Sequence, residues 1–341
     1  MSVVAPYLPT QFASPVINPQ VGSLGSPALP YISVSQFQFA PTALNTTTLV
    51  PGGSAAQQVQ SLADTIARAS SWADEICFGY DPATQGASLA ASLSVESDYT
   101  TVKNGELRLI CDYKPILEVT GVDVGADPSS VASIGAVASM ARIGRRTIYI
   151  PWSSTIAFRQ GDQLASVPTS WPTGGKTYAV WSYVNGYPHT QLVADVLANS
   201  TTCTVAATNG SGGLWGVFPA SGTFPGTALT IYDGALTERV FVQGITPGTT
   251  TTTLTTTPFA NTHTVPAPPD FLPVTALPTV IHQAVISLTM ALIKIRGSRA
   301  LVMQQTPGSP PNAQALAQAG ALEDYRIACD ILRRYAVKLK R

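Results

Sequence analysis

PAPPDFLPVTALPTVIHQAVISLTMALIKIRG, residues Pro266–Gly297, is the stretch whose reading sets the architecture. The proline run ends whatever precedes it, because proline fixes φ and supplies no backbone donor. Beyond it, apolar side chains recur at Leu277, Ile281, Ala284, Leu288, Leu292 and Ile295, in steps of three and four that fall on one helical face. Thr275 is the predicted cap, and Pro278 fits the first turn, where its missing N–H is no loss. Lys294, Arg296 and Arg299 gather near the C-terminal end, where cations suit the helix dipole. The spacing predicts a core helix of about 275–304, entered from a β-rich region. His282, Gln283 and Lys294 interrupt the apolar run, which is shorter than the roughly 20 residues a bilayer requires. The helix is therefore not read as a membrane span.

Upstream of it, residues 186–265 read as an inserted β module. Leu192–Val196, Cys203–Val205, Leu229–Tyr232, Arg239–Val242 and Thr252–Thr256 are short strand candidates, separated by Asn209-Gly210, Pro225-Gly226, Asp233-Gly234 and Pro247-Gly248. That rhythm suggests a small sandwich or barrel. Downstream, TPGSPPN at 306–312 breaks the chain. A final helix of about 314–339 follows, with Leu322, Tyr325, Cys329, Leu332, Ala336 and Leu339 on one face. The clearest helix lies further upstream at 54–77, capped by Ser54, where Val59, Leu62, Ile66, Ala69, Ala73 and Ile76 form a stripe that needs a partner helix. Between 93 and 184 the pattern is β: 94–102, 106–111, 116–124, 147–150 and 177–184 alternate or are rich in β-branched and aromatic residues.

Residues 1–53 carry no charge and eight prolines, a composition that disfavours a helix or a central strand. They are too apolar for a solvating tail. They read as an extended arm on a neighbouring subunit or on the chain's own surface, with Tyr7, Phe12, Tyr31, Phe37 and Phe39 as its contacts. The piece Tyr31–Phe39 is alternatively a strand or short helix of the core. The expected fold class is α+β: a small helical bundle with an attached β-sheet, an inserted β-sandwich or barrel-like module and an extended Pro-rich N-terminal arm. The expected divisions are the arm at 1–53, the core at 54–185 and 266–341, and the module at 186–265.

Composition narrows function. Of 341 residues, 45% are apolar and only 11% charged, against a usual charged share of about 25%. Net charge is zero but uneven: residues 1–293 hold ten basic and sixteen acidic side chains, and residues 294–341 hold nine and three. The C-terminal end is the candidate electrostatic surface, for an acidic protein or nucleic acid. Cys77, Cys111, Cys203 and Cys329 form no CxxC pair, so zinc is not expected and a reducing compartment fits. No Lys or Arg precedes Arg68 and no apolar leader is present, so no signal peptide is expected.

Catalytic motifs are weak. Gly174-Gly175-Lys176-Thr177 lacks the leading glycine of a phosphate loop, with Ser170 in its place, and runs into a strand where a helix is required. His189, His263 and His282 have no metal-ligand spacing, and His282 reads as a satisfied core residue. Asp195, Asp233 and Glu238 lie in apolar surroundings, but no pair stands out. The expectation is no enzyme, no metal and no cofactor.

SLADTIARASSWADEIC (61–77), then ELRLICDYKPILEVTGVDV (106–124), then a proline-led helix LPTVIHQAVISLTMALIKIRG (277–297) and a basic terminal helix form an ordered set. It resembles the head-to-tail connector, or adaptor, proteins of tailed bacteriophages. TYAVWSYVNGYPHTQL (177–192), with LTIYDGALTERVFVQGI (229–245) and FANTHTVPAP (259–268), is similar to the inserted β region of longer members. The resemblance covers roughly 54–341 and leaves out the arm. It implies a ring, typically dodecameric, between portal protein and tail. Such a ring extends the DNA channel and docks a tail-completion or stopper protein, in a virion neck assembled in the host cytoplasm. It implies that the C-terminal segment meets the portal or lies near genomic DNA; here Arg333, Arg334, Lys338, Lys340 and Arg341 would do so. The alternatives are another virion protein, of tail end or decoration type, or an adhesin whose β module stacks sugars on Trp171, Trp181, Trp215 and Tyr187.

Overall fold

The computed structural model describes residues 29–78, 88–103, 105–134, 141–151, 157–160, 163–166, 176–299 and 313–336. In chain order the helices are α1 (Val34–Phe39), α2 (Ala55–Phe78), α3 (Thr279–Arg299) and α4 (Ala313–Leu332). The strands between α2 and α3 are β1 (Ser92–Lys103), β2 (Glu106–Ile110), β3 (Ile116–Gly125), β4 (Ala132–Ser133), β5 (Arg142–Ile143), β6 (Thr147–Pro151), β7 (Ala157–Gln160) and β8 (Gln163–Ser166). They continue with β9 (Lys176–Asn185), β10 (His189–Gln191), β11 (Thr202–Ala206), β12 (Ala228–Ile231), β13 (Glu238–Pro247), β14 (Thr251–Thr256) and β15 (Pro273–Thr275). The fold is α+β with curled antiparallel sheets.

α3 is the centre of the helical body. Every residue from Ala284 to Thr289 is buried, so the helix is enclosed on more than the one predicted face. Ile295, at the end of the predicted stripe, is instead 40% exposed. α2 lays Leu62, Ile66, Ala69 and Ala73 into the same core, and α4 adds Ala328 and Leu332. Trp72 and Tyr325 stack between α2 and α4 at 5.1 Å. Lys294 on α3 pairs with Asp324 on α4 at 2.6 Å, passing close over Gly320, so this cation is neutralised within the chain. Two boundaries differ from expectation. α3 begins at Thr279, because Thr275 belongs to β15; its hydroxyl still accepts from Leu277 N at 3.0 Å, but ahead of the helix. α4 ends at Leu332, where tighter bonds such as Tyr335 N to Leu332 O at 2.8 Å turn the chain. Its buried stripe is Ala321, Ala328, Cys329 and Leu332, rotated away from Leu322, which is exposed.

The arm reading is corrected in part. Tyr31 and Phe37 are buried in this chain's own core. Pro30 and Pro41 leave room for one short helix, α1, capped by Ser33 Oγ accepting from Gln36 N at 3.1 Å. Asp270, beyond the module, accepts from Val34 N at 2.9 Å and Ser35 N at 3.2 Å. Only Phe39 projects outward, 66% exposed. Tyr7 and Phe12 lie outside the described residues.

Seven strands form one sheet in the order β4-β3-β9-β1-β2-β6-β5. β1 pairs along its length with β9 but meets β2 only at Val102 and Lys103. The sheet therefore folds over, and Leu107, Leu109, Ile148 and Ile150 pack with Val122, Val124, Ala179 and Trp181. Six strands form the module, in the order β10-β15-β12-β13-β14-β11. Its edges meet through the Leu192–Val205 bridge and Val193 N to Thr204 O at 3.0 Å, closing a small barrel around Val205, Ile231, Val240 and Leu254. Leu192–Val196 contributes bridges in place of the predicted strand. The barrel runs past residue 265, because β15 pairs with both β10 and β12 before leading into α3. Glycine is required at Gly212: φ is +79° and an added Cβ would sit 1.5 Å from the Gly248 carbonyl oxygen.

Candidate functional site

Three loops converge beside the end of α4. The β2–β3 turn supplies Lys114, joined to Pro115 by a cis peptide bond. The β5–β6 turn supplies Gly144, Arg145 and Arg146; the backbone bond from Gly144 N to Thr147 O at 2.8 Å shapes it, while Cys111 N bonds Arg146 O at 2.9 Å and fixes its position against β2. The turn after α4 supplies Arg333 and Arg334, followed by Tyr335. Two adjoining recesses open between these loops. One, of about 250 Å³, is lined by Lys114, Arg145 and Arg334 together with Pro115, Ile116, Tyr187 and Tyr335. The other, of about 440 Å³, is lined by Lys114, Arg145, Arg146, Arg333 and Arg334.

Five cations line this cleft. Arg333 reaches Asp330 at 3.4 Å, but both side chains are more than 70% exposed and the pair is weak. Among the described residues Arg145, Arg146 and Arg334 enter no ion pair. Arg146 Nε is sealed from solvent and has no acceptor. The Tyr187 and Tyr335 rings meet edge to face at 6.4 Å, and burial pushes the Tyr187 hydroxyl above its ordinary value. A cleft lined by one sign of charge focuses the field and draws anions, and four of the five cations are arginines, whose forks suit carboxylate and phosphate oxygens.

Of the predicted basic residues, Arg333 and Arg334 lie in this cleft, and Lys338, Lys340 and Arg341 lie outside the described residues. Lys114, Arg145 and Arg146 were not predicted. A signal was present: in a chain so poor in charge, Arg145-Arg146 and Arg333-Arg334 are its two Arg-Arg pairs. The histidines take structural positions. His282 is buried rather than satisfied: Nδ1 meets Gln36 Nε2 at 2.8 Å, and Nε2 has no partner. His189 Nε2 bonds the Pro30 carbonyl at 2.9 Å. His263 brings together two acids that sequence reasoning left unpaired, Asp233 and Glu238, and Asp195 accepts from Val265 N at 2.8 Å nearby. All three acids thus tie down one barrel loop. Trp181 is core and offers no stacking face, Trp215 is half-buried, and Trp171 lies outside the described residues. Among the described residues no group of three or more His, Cys, Asp or Glu side chains is arranged to hold a metal ion. Compared with family models, curated proteins and solved structures, the chain matches none.

Proposed function

We propose that this chain is a structural subunit of a virion: a ring-forming connector between portal and tail of a tailed bacteriophage, acting by assembly without chemistry. The observation that carries the reading is the five-cation cleft, at the end of a three-helix body, joined by the segment that holds the chain's positive excess. The order of helix, strands, proline-led helix and basic terminal helix supports it further.

In this role the ring closes by a head-to-tail contact repeated under rotation. Apolar burial between subunits drives it, at roughly 25 cal/mol per Å² before the costs of association. The basic end faces the portal or the DNA channel, and the opposite end docks a tail-completion or stopper protein. Residues 1–28 remain the candidate inter-subunit arm. Deleting 1–53 is the wrong test of it, because that cut also removes Tyr31 and Phe37 from the core; the deletion should end before residue 29.

The decisive experiment is electron microscopy of particles made without this chain. Leaking or DNA-filled heads beside free, finished tails are expected. Complete particles that fail to adsorb would move the assignment to an adhesin, and complete infectious particles would remove the connector role.

A further inference from the structure

We propose that the basic cleft binds an extended acidic segment of a partner protein. Carboxylates would occupy the all-cationic recess, and a neighbouring apolar side chain would rest on Pro115, Ile116 and Tyr187. The inference takes from the assembly role only that a protein partner exists.

Two observations select this ligand. The cations come from three separate loops and converge on recesses of about 250 and 440 Å³, the size of side chains rather than of a duplex. The smaller recess has apolar walls beside its cations, Pro115 and Ile116 among them. A duplex, its bases paired inside, has nothing to place there, whereas a peptide that alternates acidic and apolar side chains fills both recesses at once. Recognition by Arg forks with an apolar neighbour follows the usual division between polar orientation and apolar contact.

The test uses the full chain and fluorescence anisotropy with four labelled probes: a short peptide alternating Glu and Leu, the same peptide with Gln for Glu, a single-stranded oligonucleotide and a DNA duplex. The Glu peptide is expected to bind, and the Gln peptide to bind at least about tenfold more weakly. Arg145→Glu and Arg334→Glu, both at exposed side chains, should each weaken the Glu peptide by about tenfold or more, with unchanged melting. Arg239→Glu, the same charge change on the barrel, should alter it by less than about twofold. Tighter binding of either nucleic acid, lost in the same two variants, would overturn the proposal in favour of a phosphate cleft. An equal effect of Arg239→Glu would reduce it to diffuse charge, and no binding of the Glu peptide would end it. Peptide binding that holds while particles assemble normally without the chain would defeat the connector role and leave the cleft standing.

Discussion

The barrel and the helical body both bury histidine, and they treat it in opposite ways. In the barrel, His263 has a carboxylate at each ring nitrogen: Asp233 Oδ2 at 2.9 Å and Glu238 Oε1 at 2.8 Å. Burial works against the Glu238 charge, but bonds from Ala260 N, Asn261 N and His263 outweigh it and hold the carboxyl below its ordinary value. Where the body meets the barrel, His282 of α3 and His189 of β10 each leave one ring nitrogen without a partner. Burial pushes His189 down to about 4 and His282 to about 3, and His189 beside His282 lowers the latter further. The barrel accommodates a buried ring by matching it with charge. The body and its junction with the barrel accommodate it by keeping it neutral. The two regions should therefore fail for different reasons.

The largest expected difference is in acid. A histidine whose folded value lies below its ordinary 6.5 contributes stability that is fully present above pH 6.5 and is lost as pH falls toward the folded value. For His189 and His282 that window runs from 6.5 down to about 4 and about 3. At 1.36 kcal/mol per unit the loss is on the order of 3 kcal/mol for His189 and 5 kcal/mol for His282. Urea midpoints between pH 7 and 4 should fall steeply, and His282→Gln should flatten that limb. An unchanged slope in the variant would place the acid sensitivity elsewhere.

Next in size is His263→Ala, which leaves Asp233 and Glu238 without their shared partner. Leaving partly buried carboxylates without a hydrogen-bond partner costs about 2 to 3 kcal/mol. His282→Leu should cost under about 1 kcal/mol at pH 7, because losing the Gln36 bond is offset by relieving a buried, unpartnered nitrogen. Denaturant unfolding of the two variants at pH 7 measures the contrast directly. Equal costs would erase it.

How much of this contrast could be read from sequence depended on whether a feature is local. The α2 stripe was legible because Leu62, Ile66, Ala69 and Ala73 repeat along one helix, and burial follows the repeat. In α4 the same logic held at Cys329 and Leu332, which are buried, and missed only at the start, where Ala321 is buried and Leu322 exposed. β15 was missed because three residues between prolines carry no periodicity; its pairing with β10 and β12 creates it. His263, Asp233 and Glu238 are up to thirty residues apart, and only the closed barrel brings them into contact. The cleft is a sharper case: its five cations come from three turns whose positions are set by the folded-over sheet and the end of α4.

The joint between the regions is the next test. Thr275, the last residue of β15, is fully buried; its hydroxyl donates to Pro188 O at 3.0 Å and accepts from Leu277 N at 3.0 Å. Thr275→Val keeps the shape and strands the Leu277 donor, for an expected cost of about 2 kcal/mol. Hydrogen exchange should show protection falling on both sides of residue 275, in β10 and in the first turn of α3. A loss confined to one side would mean that barrel and body are stabilised separately.

The last effect carries the opposite pH sign. Asp74 Oδ1 accepts from Tyr31 OH at 2.5 Å and Leu89 N at 2.9 Å inside the helical body. Burial raises its carboxyl from 3.8 to about 7, although the bonds from Tyr31, Leu89 and Ser88 pull it down. A folded value above the ordinary one gives a contribution that is fully present below pH 3.8 and is lost as pH rises through about 7. Asp74→Asn keeps an oxygen for Tyr31 and Leu89 and has no charge to desolvate. It should be within about 0.5 kcal/mol of wild type at pH 5 and more stable by about 3 kcal/mol at pH 8. Melting temperatures at the two pH values decide the matter. A loss at pH 8 would mean that the charge strengthens the Tyr31 bond by more than its burial costs, so that the body treats this carboxylate as the barrel treats Glu238.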